Sequence, residues 1–248
     1  TELMSVRLLH RHGDLILSGA PPVAADYQAI EQRLGLAPSR VVSTGYGLNL
    51  AALQVEAGAP KEYDAVLLGR VHALKGIFDA PEVWRQVVAR RPGARLLIIG
   101  DGVHRAELQQ RFAAAGLADA VRFAGGVSDA EKNRLLSRCR VGLSLSREEG
   151  WGLSVTECLA FGLPVVAMHL PIFDHVFPGQ LDLVPMGDTA AFARHLRTWL
   201  ENPAAAAERG RQGRRFVEQY DSRAVADREL AEMSGALDRA RRRFAGRS

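Results

Sequence analysis

Two glutamates eight positions apart, Glu149 and Glu157, flank the turn Gly150-Trp151-Gly152-Leu153 in "REEGWGLSVTECLAFGLPVVA". An ionised carboxylate only accepts hydrogen bonds, and its two oxygens can take two neighbouring hydroxyls of a sugar or a ribose at once. The backbone amides of Gly150 to Leu153, at the start of an expected helix, are free to hold a phosphate oxygen. Carboxylates also gather at helix N-termini for the dipole alone, and Glu148 is read as such a cap. Glu149, on the loop, and Glu157, about one turn into the helix, are read as hydroxyl ligands.

Upstream, "GRVHALKG" places Arg70 and Lys75 five apart. A guanidinium and an ammonium converging at one strand end bind the two phosphates of a nucleotide diphosphate and stabilise charge on that leaving group. Taken alone, the pair has the signature of two exposed surface cations. The turns "GDG" (Gly100, Gly102) and "AGGV" (Gly125, Gly126, Val127) add glycines that let backbone approach a ligand closely. Each is ordinary turn chemistry by itself, but with "GR" and "SREEG" such turns close four apolar runs. The dinucleotide fingerprint is incomplete: Arg105 stands where its third glycine belongs, and Gly125-Gly126 where its acidic residue would end the next strand. Asp101 is read as a cap of the helix that follows. Neither a P-loop nor an Asp-x-Asp motif occurs.

These residues need elements to place them. Apolar runs at "DAVLLGR", "ARLLIIGDG", "AVRFAGG", "RVGLSLS" and "LPVVAMH", with a weaker one at "LDLVPMGD", read as strands. Between the first five lie "PEVWRQVVARR", "VHRAELQQRFAAAG", "DAEKNRLLSRC" and "LSVTECLAFG", which have helical spacing. Strands apolar throughout and separated by helices predict a doubly wound, Rossmann-like α/β fold with a parallel sheet covered on both faces. Ligands of such sheets lie at the carboxyl ends of the strands. Beyond Asp188 three helices follow, expected to pack outside the sheet. Before residue 61 come one strand, one helix and another strand, then a linker-like stretch.

Composition narrows the function. The chain has 248 residues, 47% of them hydrophobic, and a net charge of +4 gathered largely in "DRARRRFAGRS". No basic stripe suits duplex DNA, so no nucleic-acid partner is expected. No apolar run of membrane-spanning length occurs, and "TELMSVRLLHRHGD" lacks the apolar centre of a secretory signal. Cys139 and Cys158 form no framework or metal cluster. The expected location is the cytoplasm, with peripheral contact at the inner membrane face left open.

Glu149-x7-Glu157 followed by "AFGLPVVA", and preceded by "GR…KG", "IIGDG" and "VRFAGGVSDAEKNRLLSRC", resembles the C-terminal, donor-binding half of retaining glycosyltransferases of family 4, which have the GT-B fold. The resemblance implies that Arg70 and Lys75 bind the diphosphate of a nucleotide sugar and that Glu149 contacts the transferred sugar, making these the catalytic set. It implies that Glu157 meets the ribose, the Gly125–Val127 turn the base, and Gly100, Gly102 and Gly150–Leu153 the rest of the donor. It also implies two domains. Here residues 1–60 match only the end of the acceptor domain plus linker, and 61–248 the donor domain. The acceptor, whether glycan, lipid or small molecule, and any partner chain carrying the acceptor domain are unspecified. No cofactor or metal is expected, since Arg70 and Lys75 neutralise the diphosphate. A non-catalytic nucleotide-sugar-binding subunit and a nucleotide-sugar epimerase are the alternatives. His10 and His12 are read as surface residues, and His169 and His175 lie near the cleft without a motif.

Overall fold

A computed structural model describes residues 15–245. His10 and His12 lie outside them. The chain divides into two compact units, one comprising the chain up to Asn49 together with Gln219 onward, the other Leu50–Glu218.

In the first unit β1 (Ile16–Ser18) and β2 (Val41–Ser43) pair in parallel, connected by α1 (Pro21–Arg33). The last helix, α9 (Ser222–Ala245), belongs here too. Glu229 on α9 accepts from the Thr44 hydroxyl at 3.0 Å, and Glu232 pairs with Arg40 at 2.6 Å. This differs from the sequence expectation in two ways. The boundary falls near residue 50 instead of 60, and the final helix groups with the N-terminal segment. Its polar sequence gave no sign of which surface it would meet.

The second unit holds six parallel strands: β3 (Tyr63–Leu68), β4 (Leu96–Ile99), β5 (Val121–Gly125), β6 (Cys139–Ser144), β7 (Val165–Met168) and β8 (Asp182–Val184). All six expected runs are strands. β4 and β7 are buried at every position and β3 and β6 at nearly every one, which is why these runs carry no polar alternation. The helices are α2 (Ala80–Val88), α3 (Arg105–Ala114), α4 (Asp129–Ser137), α5 (Leu153–Ala160), α6 (Pro171–Val176), α7 (Thr189–Glu201) and α8 (Pro203–Val217). On α2, Ala80, Val83, Trp84 and Val87 repeat at helical spacing and are buried, and this helix packs on α7. α5 packs on α8. The short helix α6 was not expected from sequence; one turn begun by Pro171 leaves too little periodicity to detect.

The strand order is β5-β4-β3-β6-β7-β8. The chain builds outward from β3 through β4 to β5, then returns across β3 to lay down β6, β7 and β8. The order reverses between β3 and β6, whose two carboxyl-end loops meet at the switch point where ligands of such sheets bind. The first carries Arg70 and Lys75, the second Glu149.

Candidate functional site

After β3 the backbone turns through Gly69 into Arg70. The imidazole of His72 accepts from the Leu74 N–H at 3.2 Å and caps a short 3₁₀ turn, Ala73–Lys75. Gly76 ends that turn at φ +61, and a Cβ there would lie 1.7 Å from the Leu145 carbonyl oxygen. Only glycine permits both the conformation and the contact. The loop after β6 is thereby held against the turn after β3. Two further bonds clamp it: the Arg147 N–H donates to the Leu74 carbonyl at 2.9 Å, and the Arg147 guanidinium pairs with Asp79 at 2.9 Å.

The clamp brings Lys75 to Glu149. The ammonium donates to Glu149 Oε1 at 2.6 Å, and the Ser146 hydroxyl donates to the same oxygen at 2.7 Å. The Glu149 side chain is 8% exposed and that of Lys75 22%, so the carboxylate is nearly buried while the ammonium keeps some solvent contact. Oε1 has two protein donors and, among the described residues, Oε2 receives none, which leaves lone pairs for a ligand hydroxyl. Arg70 stands exposed at the same edge, and among the described residues no carboxylate lies within ion-pair distance of it.

Glu157 lies in the second turn of α5 and accepts from Lys132 of α4 at 2.7 Å. The same ammonium reaches Asp129 at 2.9 Å. Burial alone would lower the Lys132 pKa, but the bonds to Glu157 and Asp129 outweigh it and hold the ammonium above its ordinary value. Ser128 caps α4 by accepting from the Glu131 N–H, which places Gly125, Gly126 and Val127 directly ahead of a helix start. α5 begins at Leu153 with Gly152 as its N-cap, and its first amides have no intrahelical acceptor. Trp151 is buried edge-to-face on Phe177, so it supports the turn from beneath, and Gly150 is exposed.

At the third strand end, Gly100 adopts φ +129, and a Cβ there would meet the Gly69 carbonyl oxygen at 2.0 Å. A Cβ on Gly102 would meet the Val71 carbonyl oxygen at 2.4 Å. These glycines serve the packing of the β4 turn against the β3 turn. Asp101 does not cap α3, whose N-cap is His104; its carboxylate accepts from the Gly102 N–H at 2.8 Å and from Arg105 at 2.9 Å. Those two partners hold it below the usual carboxylate range, the amide contributing most. Arg105, the residue in place of the fingerprint's third glycine, lies with its guanidinium against Gly125. His169 pairs with Asp174 at 2.8 Å.

The structure joins Lys75 to Glu149, both singled out in the sequence, and gives Glu149 and Glu157 one partner each that was not, Ser146 and Lys132. Ser146 lies within the quoted motif and could have been weighed as a donor to Glu149. Lys132 also lies within a quoted run, but only the packing of α4 beside α5 relates it to Glu157.

A six-stranded parallel sheet with reversed strand order, flanked by helices, defines a Rossmann-like α/β domain of the kind found in GT-B glycosyltransferases. Residues 52–216 match the family described as glycosyl transferases group 1, and the chain belongs to that family. Glycogen synthase of Mycobacterium tuberculosis is 31% identical over 198 residues, which cover 77% of this chain and 47% of that protein. Phosphatidyl-myo-inositol mannosyltransferase of Mycobacterium leprae is 32% identical over 199 residues, 76% of this chain and 52% of that one. The chain spans about half the length of these curated relatives. Among solved structures, Anabaena HepE in complex with UDP and glucose shares the fold at a TM-score of 0.75 and 16% identity, over 94% of this chain and 67% of that one. No described helix is long and apolar enough to cross a membrane.

Proposed function

We propose that this chain is the donor-binding part of a retaining glycosyltransferase, moving a sugar from a nucleotide diphosphate sugar to an acceptor held by another domain or chain. The observation behind this reading is the Lys75–Glu149 pair at 2.6 Å between β3 and β6. In a nucleotide sugar the transferred ring is bonded directly to the second phosphate. A cation for that phosphate and a carboxylate for the ring hydroxyls therefore belong side by side.

In this reading Lys75 and Arg70 face the diphosphate, and their charge stabilises the negative charge that grows as the sugar–phosphate bond breaks. The free oxygen of Glu149 orients the sugar ring. Glu157 holds the ribose diol, with Lys132 fixing its carboxylate, and the α5 amides meet a phosphate oxygen. Gly125, Gly126 and Val127 border the base. No metal enters this scheme, since two cations neutralise the leaving group. The naming of UDP and glucose in the HepE complex makes uridine diphosphate the first nucleotide to test. We place the protein in the cytoplasm, a reading supported by the two buried free thiols, Cys139 and Cys158.

The test is a calorimetric titration of the folded chain with a panel of nucleoside diphosphates and nucleotide sugars. The proposal expects one nucleotide series to saturate a single site. A folded chain that binds none of the panel overturns it.

A further inference from the structure

At the opposite end of the large sheet from Glu149, a cavity of about 330 Å³ opens where the chain enters β3, β6 and β7. Its charged lining consists of Lys61, Arg140, Arg211 and Arg214, with no carboxylate. Neighbouring acids are already shared. Asp64 lies 3.1 Å from Arg91 and 3.9 Å from Arg140, and Glu208 lies 2.5 Å from Arg211 and 3.8 Å from Arg215. Lys61 and Arg214 have no ion-pair partner among the described residues. The Lys61 ammonium donates instead to the Ser137 carbonyl at 2.8 Å. Burial lowers the Lys61 pKa, with Cys139 acting against that shift and Arg140 reinforcing it. Lys61, Arg211 and Arg214 reach solvent and Arg140 is half-buried, so the recess gathers four cations at an open mouth, where one multivalent anion neutralises several of them at once.

The remaining walls are apolar. Trp199 forms part of the lining, held in place by its indole N–H donating to Asp182 at 2.6 Å, together with leucine and proline side chains. The volume falls near the lower end of small-ligand sites, roughly 300–1,000 Å³. A cationic end and an apolar, ring-sided body fit an anion carried on a compact carbon skeleton. A phosphomonoester brings about −1.5 to −2 charges and three acceptor oxygens, enough for several of these cations together, where a carboxylate brings one charge. We propose that this cavity is a second ligand site, taking a phosphomonoester on a small polar ring, of the sugar-phosphate class. β6 spans six residues, or roughly 20 Å, between this cavity and the Glu149 loop, so the two sites are separate.

The same headgroup chemistry occurs on phosphatidic acid, and the experiment distinguishes the two sources. Glucose 6-phosphate, inorganic phosphate, glucose and vesicles with or without phosphatidic acid are titrated into the full chain. The proposal expects saturable glucose 6-phosphate binding, weaker inorganic phosphate binding, none for glucose, and no competition from a nucleoside diphosphate. Arg140→Gln with Arg214→Ala should weaken it about tenfold or more while the fold is kept by circular dichroism. Binding only to phosphatidic acid vesicles, lost in the same variant, overturns the sugar-phosphate assignment and gives the site to a lipid headgroup. No binding to either source up to about 10 mM, binding unchanged in the double variant, or displacement by nucleoside diphosphate overturns the second site. Because the readout needs no donor, it stands or falls separately from the transferase reading.

Discussion

The ammonium of Lys75 lies 2.6 Å from Glu149 Oε1, although the two residues sit on loops that leave different strands, β3 and β6. The cation expected to meet phosphate and the carboxylate expected to meet sugar hold each other. A ligand's phosphate must compete with Glu149 for Lys75. The pair therefore has both a structural and a binding consequence, and mutation separates them.

Lys75→Ala leaves the nearly buried carboxylate of Glu149 with the Ser146 hydroxyl as its donor. Stability should fall by about 1–3 kcal/mol, less than for a fully buried pair because Lys75 retains solvent contact. Adding Glu149→Gln removes the stranded charge and should restore most of that loss. Chemical denaturation of the two single variants and the double variant measures the coupling, and strictly additive losses would show that the pair is not coupled.

Arg70→Ala tests the cation whose surroundings in the protein say least. Nucleoside diphosphate affinity should drop by about 1.5–3 kcal/mol, the range for a charge-assisted hydrogen bond, with unfolding still cooperative. An unchanged affinity by calorimetry returns Arg70 to the class of ordinary surface cations.

The fit between the two loops depends on Gly76. Gly76→Ala forces a side chain into a left-handed backbone, costing about 1–2 kcal/mol, and drives its Cβ into the Leu145 carbonyl. Both the melting temperature and nucleoside diphosphate binding should fall, because the Lys75 turn can no longer seat against the β6 loop. Gly126→Ala, with nothing within 4 Å of the added Cβ, should leave the melting temperature nearly unchanged. Equal thermal losses in the two variants would contradict the clamp.

How much of this was visible in the sequence depends on the range of the signal. The buried strands announced themselves, because a strand covered on both faces has no polar position and its neighbours in sequence show it. Glu149 and Glu157 were legible for a similar reason: their turn and helix start lie within one stretch. Lys132 and Ser146 were not singled out, and the partner relation of Lys132 to Glu157 exists only once α4 lies beside α5. The attachment of α9 was illegible too. Its mates Thr44 and Arg40 lie far away along the chain, and its exposed Leu230, Met233 and Leu237 blur any apolar face.

Alkaline titration reports on the Lys132–Glu157 pair. Lys132 has a folded pKa above its ordinary 10.5, so its contribution to stability is complete below that pH and is lost as pH rises through the folded value. Denaturation midpoints should show an alkaline decline that begins above pH 10.5 and shrinks in Lys132→Met. A decline of the same size in that variant would assign it to other groups.

The two thiols should be silent in the folded protein. Burial pushes Cys139 up to about 12 and raises Cys158 further, so neither supplies thiolate at neutral pH. Alkylation at pH 8 should be negligible until denaturant is added and then modify both. Rapid labelling of the native chain would show that the α5–β6 packing around Cys158 opens readily.

The roles given to Glu149 and Glu157 are tested most directly by binding, without any acceptor. Wild type, Glu149→Gln and Glu157→Gln are each titrated with the recognised nucleoside diphosphate and with its nucleotide sugar. Glu157→Gln should weaken both ligands by about 1.5–3 kcal/mol, since both carry the ribose. Glu149→Gln should weaken the nucleotide sugar by a similar amount yet leave the bare diphosphate unchanged or bound more tightly, because Lys75 is released to meet it. Equal losses for Glu149→Gln on both ligands would contradict the account, showing that the residue shapes the phosphate loop and makes no contact with the transferred sugar.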